Sequence, residues 1–144
     1  MQAILLVVLI GLVGGVAVAV QASLAGILSE RVGLFGNGAV VFGGGFLFAL
    51  ALLFTFGTEQ LKPWRSLPWY VYLAGPLGIV IISSIGYAIP RIGVASTLTL
   101  IVVSQLIVGV GLDHFGWLTV PRPIELQRLV GTAILFVGTW IVLR

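Results

Sequence analysis

Two side-chain amides, Gln21 and Gln105, lie inside long stretches that carry no charged residue. An amide has four hydrogen-bonding sites, more than its own helix can fill. A few hydroxyls and one phenol share these surroundings. Ser83 and Ser84 precede Tyr87 by four and three residues, so on a helix all three can face one way. Thr97 and Ser104 are seven apart, and Gln105 adjoins the second of them. Such groups recognise neutral or weakly polar solutes by hydrogen bonding. The hydroxyls have a plainer alternative, bonding to the carbonyl four residues back. The candidates for solute binding are therefore Gln21, Ser83, Ser84, Tyr87, Thr97, Ser104 and Gln105, with the two amides foremost.

The chemistry that is missing narrows the function further. No Asp, Glu, Lys, Arg or His falls in the middle of an apolar stretch, which disfavours a proton relay built on a buried carboxylate. Asp113 and His114 adjoin at the end of one stretch and read as a helix-end cap and a surface imidazole. There is no Gly-rich phosphate loop, no nucleophile–base pair and no metal-ligand spacing. No catalytic residue, cofactor or metal is expected, and the chain does not read as an enzyme. The absence of cysteine removes disulfides and thiolate sites.

The elements that hold these groups follow from the distribution of charge. Charge-free runs extend over Met1–Ser29, Val32–Thr58, Ser66–Pro90, Ile92–Leu112 and Leu129–Leu143. A membrane span needs roughly 18–20 apolar residues to cross a hydrocarbon core of about 30 Å. The first four runs qualify directly. The fifth qualifies if it starts near Ile124 and Arg128 snorkels to the interface. Composition agrees: the chain is 60% hydrophobic and 8% charged, against roughly 45–50% and 25% in soluble domains. The expected fold is an all-α membrane bundle of five transmembrane helices, near 3–28, 34–57, 68–89, 93–112 and 125–143, in one domain. The first run ends in an Ala17-Val18-Ala19 pattern, but no Lys or Arg precedes it, so an uncleaved span is expected.

Turns are read at Gly33 and Gly36 with Asn37, at Gly57–Pro68, at Pro90, Arg91 and Gly93, and over Asp113–Arg128 with Pro121 and Pro123. Trp64, Trp69, Tyr70, Tyr72, Phe115 and Trp117 cluster near span ends, where amphipathic rings anchor at the headgroups. An odd number of spans puts the termini on opposite sides. Lys62, Arg65, Arg122 and Arg128 then share a side with the amino terminus, and Arg31, Arg91 and Arg144 lie opposite. Orientation follows the Lys/Arg excess, and four against three is a feeble excess. Insertion both ways, giving an antiparallel pair with an axis in the membrane plane, competes evenly with a single orientation. The net charge of +3 is scattered, so nucleic acid is not implied. The 20 glycines suit close helix packing. Gly131 and Gly138, seven apart on one face, are expected at a helix or dimer contact, as are Gly109 and Gly111.

Several segments together resemble the YdcZ family, a five-span branch of the drug/metabolite transporter superfamily. Gly15 to Leu24 (GVAVAVQASL) is similar to its "Q-A-x-L" ending of the first span, and Tyr87 to Ala95 (YAIPRIGVA) to its "P-R-L-G-A-A" turn. Gln105 matches a family Gln, Asp113-His114-Phe115-Gly116 a "D-H-F-G" element, and Arg128 to Gly131 with Gly138 the closing "R-x-x-G…G" pattern. The resemblance covers nearly the whole chain in order. It implies an antiparallel dimer of one dual-topology chain or of two sister chains, and kinship with the small multidrug resistance exporters. The chain departs from those exporters in having no glutamate in its first span, and from the YdcZ pattern in having Ala25 where Asn often stands.

Together these readings describe a small secondary transporter of the bacterial inner membrane. Its partners would be lipid, a second copy or sister chain, and a neutral, amphipathic or weakly polar solute. A non-transporting assembly subunit and a scramblase-like protein are the alternatives.

Overall fold

The structure is a computed structural model and describes residues 2–116 and 125–144. Trp117, Pro121, Arg122 and Pro123 of the expected fourth connection lie outside the described residues, as does the side chain of Arg128 on which the snorkelling expectation rests. Three α-helices form: α1 (Gln2–Phe56), α2 (Ala74–Phe115) and α3 (Leu126–Val142), with 3-10 segments at Thr58–Ser66 and Trp69–Leu73. The described residues are all-helical. α1 and α2 are each long and apolar enough to cross a membrane, and each is broken once.

The breaks fall on glycine for a steric reason. Gly33 has φ 76° and ψ 172°, and Gly93 has φ 79° and ψ 169°. This region of backbone space is essentially closed to residues with a Cβ. Sequence reading spread the first turn over Gly33, Gly36 and Asn37. Gly33 alone is non-helical, while Gly36 and Asn37 already lie in the second arm of α1. Likewise Pro90 stays inside α2 and the elbow is at Gly93.

The two elbows belong to an internal repeat with an offset of 60 residues (93 − 33). Ser23, Gly26, Arg31 and Gly33 recur as Ser83, Gly86, Arg91 and Gly93, and Val32-Gly33-Leu34 recurs as Ile92-Gly93-Val94. The matching dihedral angles show that the repeat is structural as well as sequential.

The chain forms two compact units, Met1–Arg91 and Ile92–Arg144. In the first, both arms of α1 pack on the beginning of α2 through glycines. A Cβ at Gly26 would come within 2.6 Å of Ile89 Cγ2, and one at Gly78 within 2.7 Å of Phe42 Cζ. A Cβ at Gly86 would collide with Ser29 Oγ and sit 2.9 Å from Asn37 Nδ2. Residues eight apart on a straight helix are about 12 Å apart along its axis. Ser29 and Asn37 therefore meet at Gly86 only because α1 folds back at Gly33. The contacts are reciprocal across the repeat: Gly26 touches Ile89, the counterpart of Ser29, and Ser29 touches Gly86, the counterpart of Gly26. That exchange is the signature of a local two-fold relation. Ala22, Ala25, Ile82 and Ile85 complete this small core.

The segment read as a plain loop, Gly57–Pro68, is mostly ordered. Thr58–Ser66 is a 3-10 turn that starts after Gly57 at φ 102°. Lys62 pairs with Glu59, and Tyr72 Oη donates to the carbonyl of Trp64 at 2.5 Å. The Trp64 and Tyr72 rings meet edge to face with centroids 6.5 Å apart. Trp64, Trp69, Tyr70 and Tyr72 are all exposed, as side chains seated among headgroups would be.

In the second unit, the arm of α2 after Gly93 carries Gln105, and α3 carries Gly131. Thr97 and Thr139 are buried there. Each hydroxyl bonds its own helix, to the carbonyls of Gly93 and Leu135, both at 2.7 Å.

Candidate functional site

Helical spacing builds a groove in the second unit. Gln105, Leu106, Gly109, Val110 and Asp113 fall on one face of α2, at alternating steps of one and three residues, and Gly131, Thr132 and Leu135 of α3 close the other side. The cavity measures about 440 Å³, within the range of small-molecule sites. Leu106, Val110 and Leu135 supply apolar wall. Gly109 and Gly131 widen it, since a Cβ at either would meet nothing within 4 Å. Gln105, Thr132 and Asp113 supply polar atoms. The combination suits a molecule with an apolar body and a hydrogen-bonding end.

The remaining sequence candidates divide by unit. In the first, Ser84 Oγ donates to the carbonyl of Val80 at 2.8 Å, satisfied on its own helix. Ser83 differs, because its Oγ is buried with no partner among the described residues. Tyr87 is about half exposed at 54% and carries the Arg91 guanidinium on its ring face. Gln21 is exposed. In the second unit, Ser104 Oγ donates to the carbonyl of Leu100 at 2.8 Å and Thr97 is turned back as described. Gln105 is the candidate that the groove takes up.

Gly111 and Gly138 also face open space, since a Cβ at each would meet nothing within 4 Å among the described residues. Four glycines singled out as contact points (Gly109, Gly111, Gly131 and Gly138) thus leave room on their helices in this chain.

Two polar residues in the first unit, Asn37 and Ser29, were not among the candidates for solute binding. Asn37 is 0% exposed, and its Nδ2 donates weakly to the carbonyl of Ile82 at 3.4 Å. Its Oδ1 and the Oγ of Ser29 are buried without partners. The repeat sets Asn37 against Thr97, also polar, and Ser29 against Ile89. Asp113, read as a helix cap, lines the groove instead. Among the described residues no cluster of His, Cys, Asp or Glu could hold a metal ion.

Long apolar helices, each broken at a glycine elbow, are the build of an integral membrane protein. The chain belongs to the YdcZ family: the family model described as "Putative inner membrane exporter, YdcZ" matches residues 6–141. That description is of an exporter and not of an enzyme. Among curated proteins, the chain is similar to the inner membrane protein YdcZ of Escherichia coli (strain K12), with 37% identity over 81 residues. The match covers 55% of this chain and 53% of that protein, so it spans about half the length of the relative. No solved structure matches the chain.

Proposed function

We propose that the chain is an inner-membrane exporter that moves a small neutral, amphipathic or weakly polar solute by alternating access. The observation that carries this reading is the groove beside Gln105, with apolar walls and polar groups along one helix face. Membership of an exporter family supports the same direction. The working unit is an antiparallel pair of five-span chains. In this arrangement the elbows at Gly33 and Gly93 divide α1 and α2 into two spans each, and α3 supplies the fifth. The open glycine faces, and the first arm of α1 with no burial in its most apolar window, support a partner beyond the single chain.

The test is binding by the purified protein. A panel of amphipathic solutes is screened by thermal shift against the parent and against Gln105→Ala. A neutral hydrogen bond contributes about 0.5–1.5 kcal/mol, so the variant binds roughly three- to tenfold more weakly while keeping the parent's melting point. Equal binding by the variant removes Gln105 from the site. Dual insertion is read separately, with a reporter fused after Arg144 giving signal from both sides of the membrane. A one-sided signal contradicts it.

A further inference from the structure

The first unit holds a second cavity, of about 550 Å³, under the elbow at Gly33. Ser29 and Glu30 line it from the first arm of α1, and Gly86, Tyr87 and Arg91 from the first arm of α2. It carries one carboxylate and one guanidinium, yet no ion pair joins Glu30 to Arg91. Arg91 is held elsewhere: its guanidinium lies 3.6 Å from the Tyr87 ring centroid, and Nη1 donates to the Tyr87 carbonyl at 2.6 Å. Stacking fixes the guanidinium plane and leaves its other N–H groups free for an anion. Ser29 adds a buried hydroxyl with no partner among the described residues. Two opposite charges on one cavity, held apart, match a ligand with the reversed pair of charges.

We infer that this cavity binds a compact zwitterion, with a primary ammonium on Glu30 and a phosphate or carboxylate on Arg91. The site is independent of the groove beside Gln105 and does not require that the chain transport anything. Its position favours the headgroup level, because Glu30 ends the charge-free run from Met1 and Arg91 ends the run from Ser66. The repeat argues for a specialised site. The counterparts of Glu30 and Tyr87 are Pro90 and Ile27, so the acid and the stacking ring occur only on this cavity. The same chemistry is offered by an ethanolamine lipid headgroup and by a free phosphoethanolamine-like solute.

The test uses the full chain in phosphatidylcholine nanodiscs, with phosphatidylethanolamine or phosphatidylglycerol added and the retained lipid read by native mass spectrometry. The parent retains phosphatidylethanolamine in preference to phosphatidylglycerol. Glu30→Gln loses that preference about tenfold but keeps phosphate-dependent retention, whereas Arg91→Gln loses retention of both, in keeping with charge-assisted bonds. Free phosphoethanolamine that binds the parent and displaces the lipid identifies a solute source. Lipid retention that it does not displace identifies the headgroup. Should either variant fail to fold, phosphoethanolamine against glycerol phosphate on the parent, in detergent, makes the same discrimination without a mutation. Indifference of the parent to the ammonium group in both formats, or folded variants that retain lipid like the parent, overturns the inference.

Discussion

The glycines around Gly86 and those along the first arm of α1 share a residue type and differ in everything else. Gly26, Gly78 and Gly86 are filled: a Cβ on any of them would come closer than 3 Å to a neighbouring side chain. Gly11, Gly14 and Gly15 are open, with nothing within 4 Å, and so are Gly43, Gly44 and Gly45. In lipid, apolar side chains gain little by leaving the tails, so close backbone approach is what holds helices together. The first set spends that approach inside the chain, where α1 folds back on α2. The second makes no such approach within the described residues of the chain. Ile4 to Val13 tell the same story, since every large apolar residue there is at least half exposed.

The contrast can be broken most severely at Gly86. Gly86→Leu drives a side chain into Ser29 and Asn37, and overpacking of this kind costs about 1–3 kcal/mol or more. The expected result is loss of folded protein, read as yield and melting point in detergent. An equally bulky Gly14→Leu should fold like the parent. If both variants fold equally well, the filled and open sets are not distinct.

Gly33→Ala comes next. Its backbone region admits glycine almost exclusively, and strain of this type costs about 1–3 kcal/mol. Straightening the elbow separates Ser29 from Asn37, so the melting point falls. Gly93→Ala, with almost the same dihedral angles, should fall by a similar amount. A large difference between the two would show that the repeat is not equivalent in energy.

The smallest effect on folding is expected at Gly138, whose side faces open space. Gly138→Leu leaves the monomer intact and weakens pairing between copies, read by cross-linking in lipid. Unchanged pairing would mean that this face meets lipid.

Much of this contrast is legible in the residues, and part is not. The all-helical class follows from charge-free runs far longer than a soluble helix needs. Gln105 and Gln21 stand out alike as amides in apolar surroundings; the structure sets Gln105 on a groove and leaves Gln21 exposed. Ser84, Thr97 and Ser104 resolve the other way, each turned onto its own backbone. Spacing alone does not decide between those outcomes, because a hydroxyl can reach either. Asn37 was hidden by its place near Gly33 and Gly36, where it reads as a turn residue. Its burial depends on α1 folding back, a tertiary event that no local pattern encodes. The repeat was within reach, since Ser23, Gly26, Arg31 and Gly33 all recur 60 residues on (83, 86, 91 and 93). The bond from Tyr72 to Trp64 ties Thr58–Ser66 to residues eight positions on, a contact no local pattern encodes.

The central claim is that the groove beside Gln105 carries a solute across the membrane. The direct measurement is uptake into proteoliposomes of an amphipathic solute that thermal shift has shown to bind. The account predicts saturable flux with the parent and a several-fold reduction with Gln105→Ala, at equal reconstitution and unchanged melting point. Flux that does not saturate, or that Gln105→Ala leaves unaltered, would contradict it.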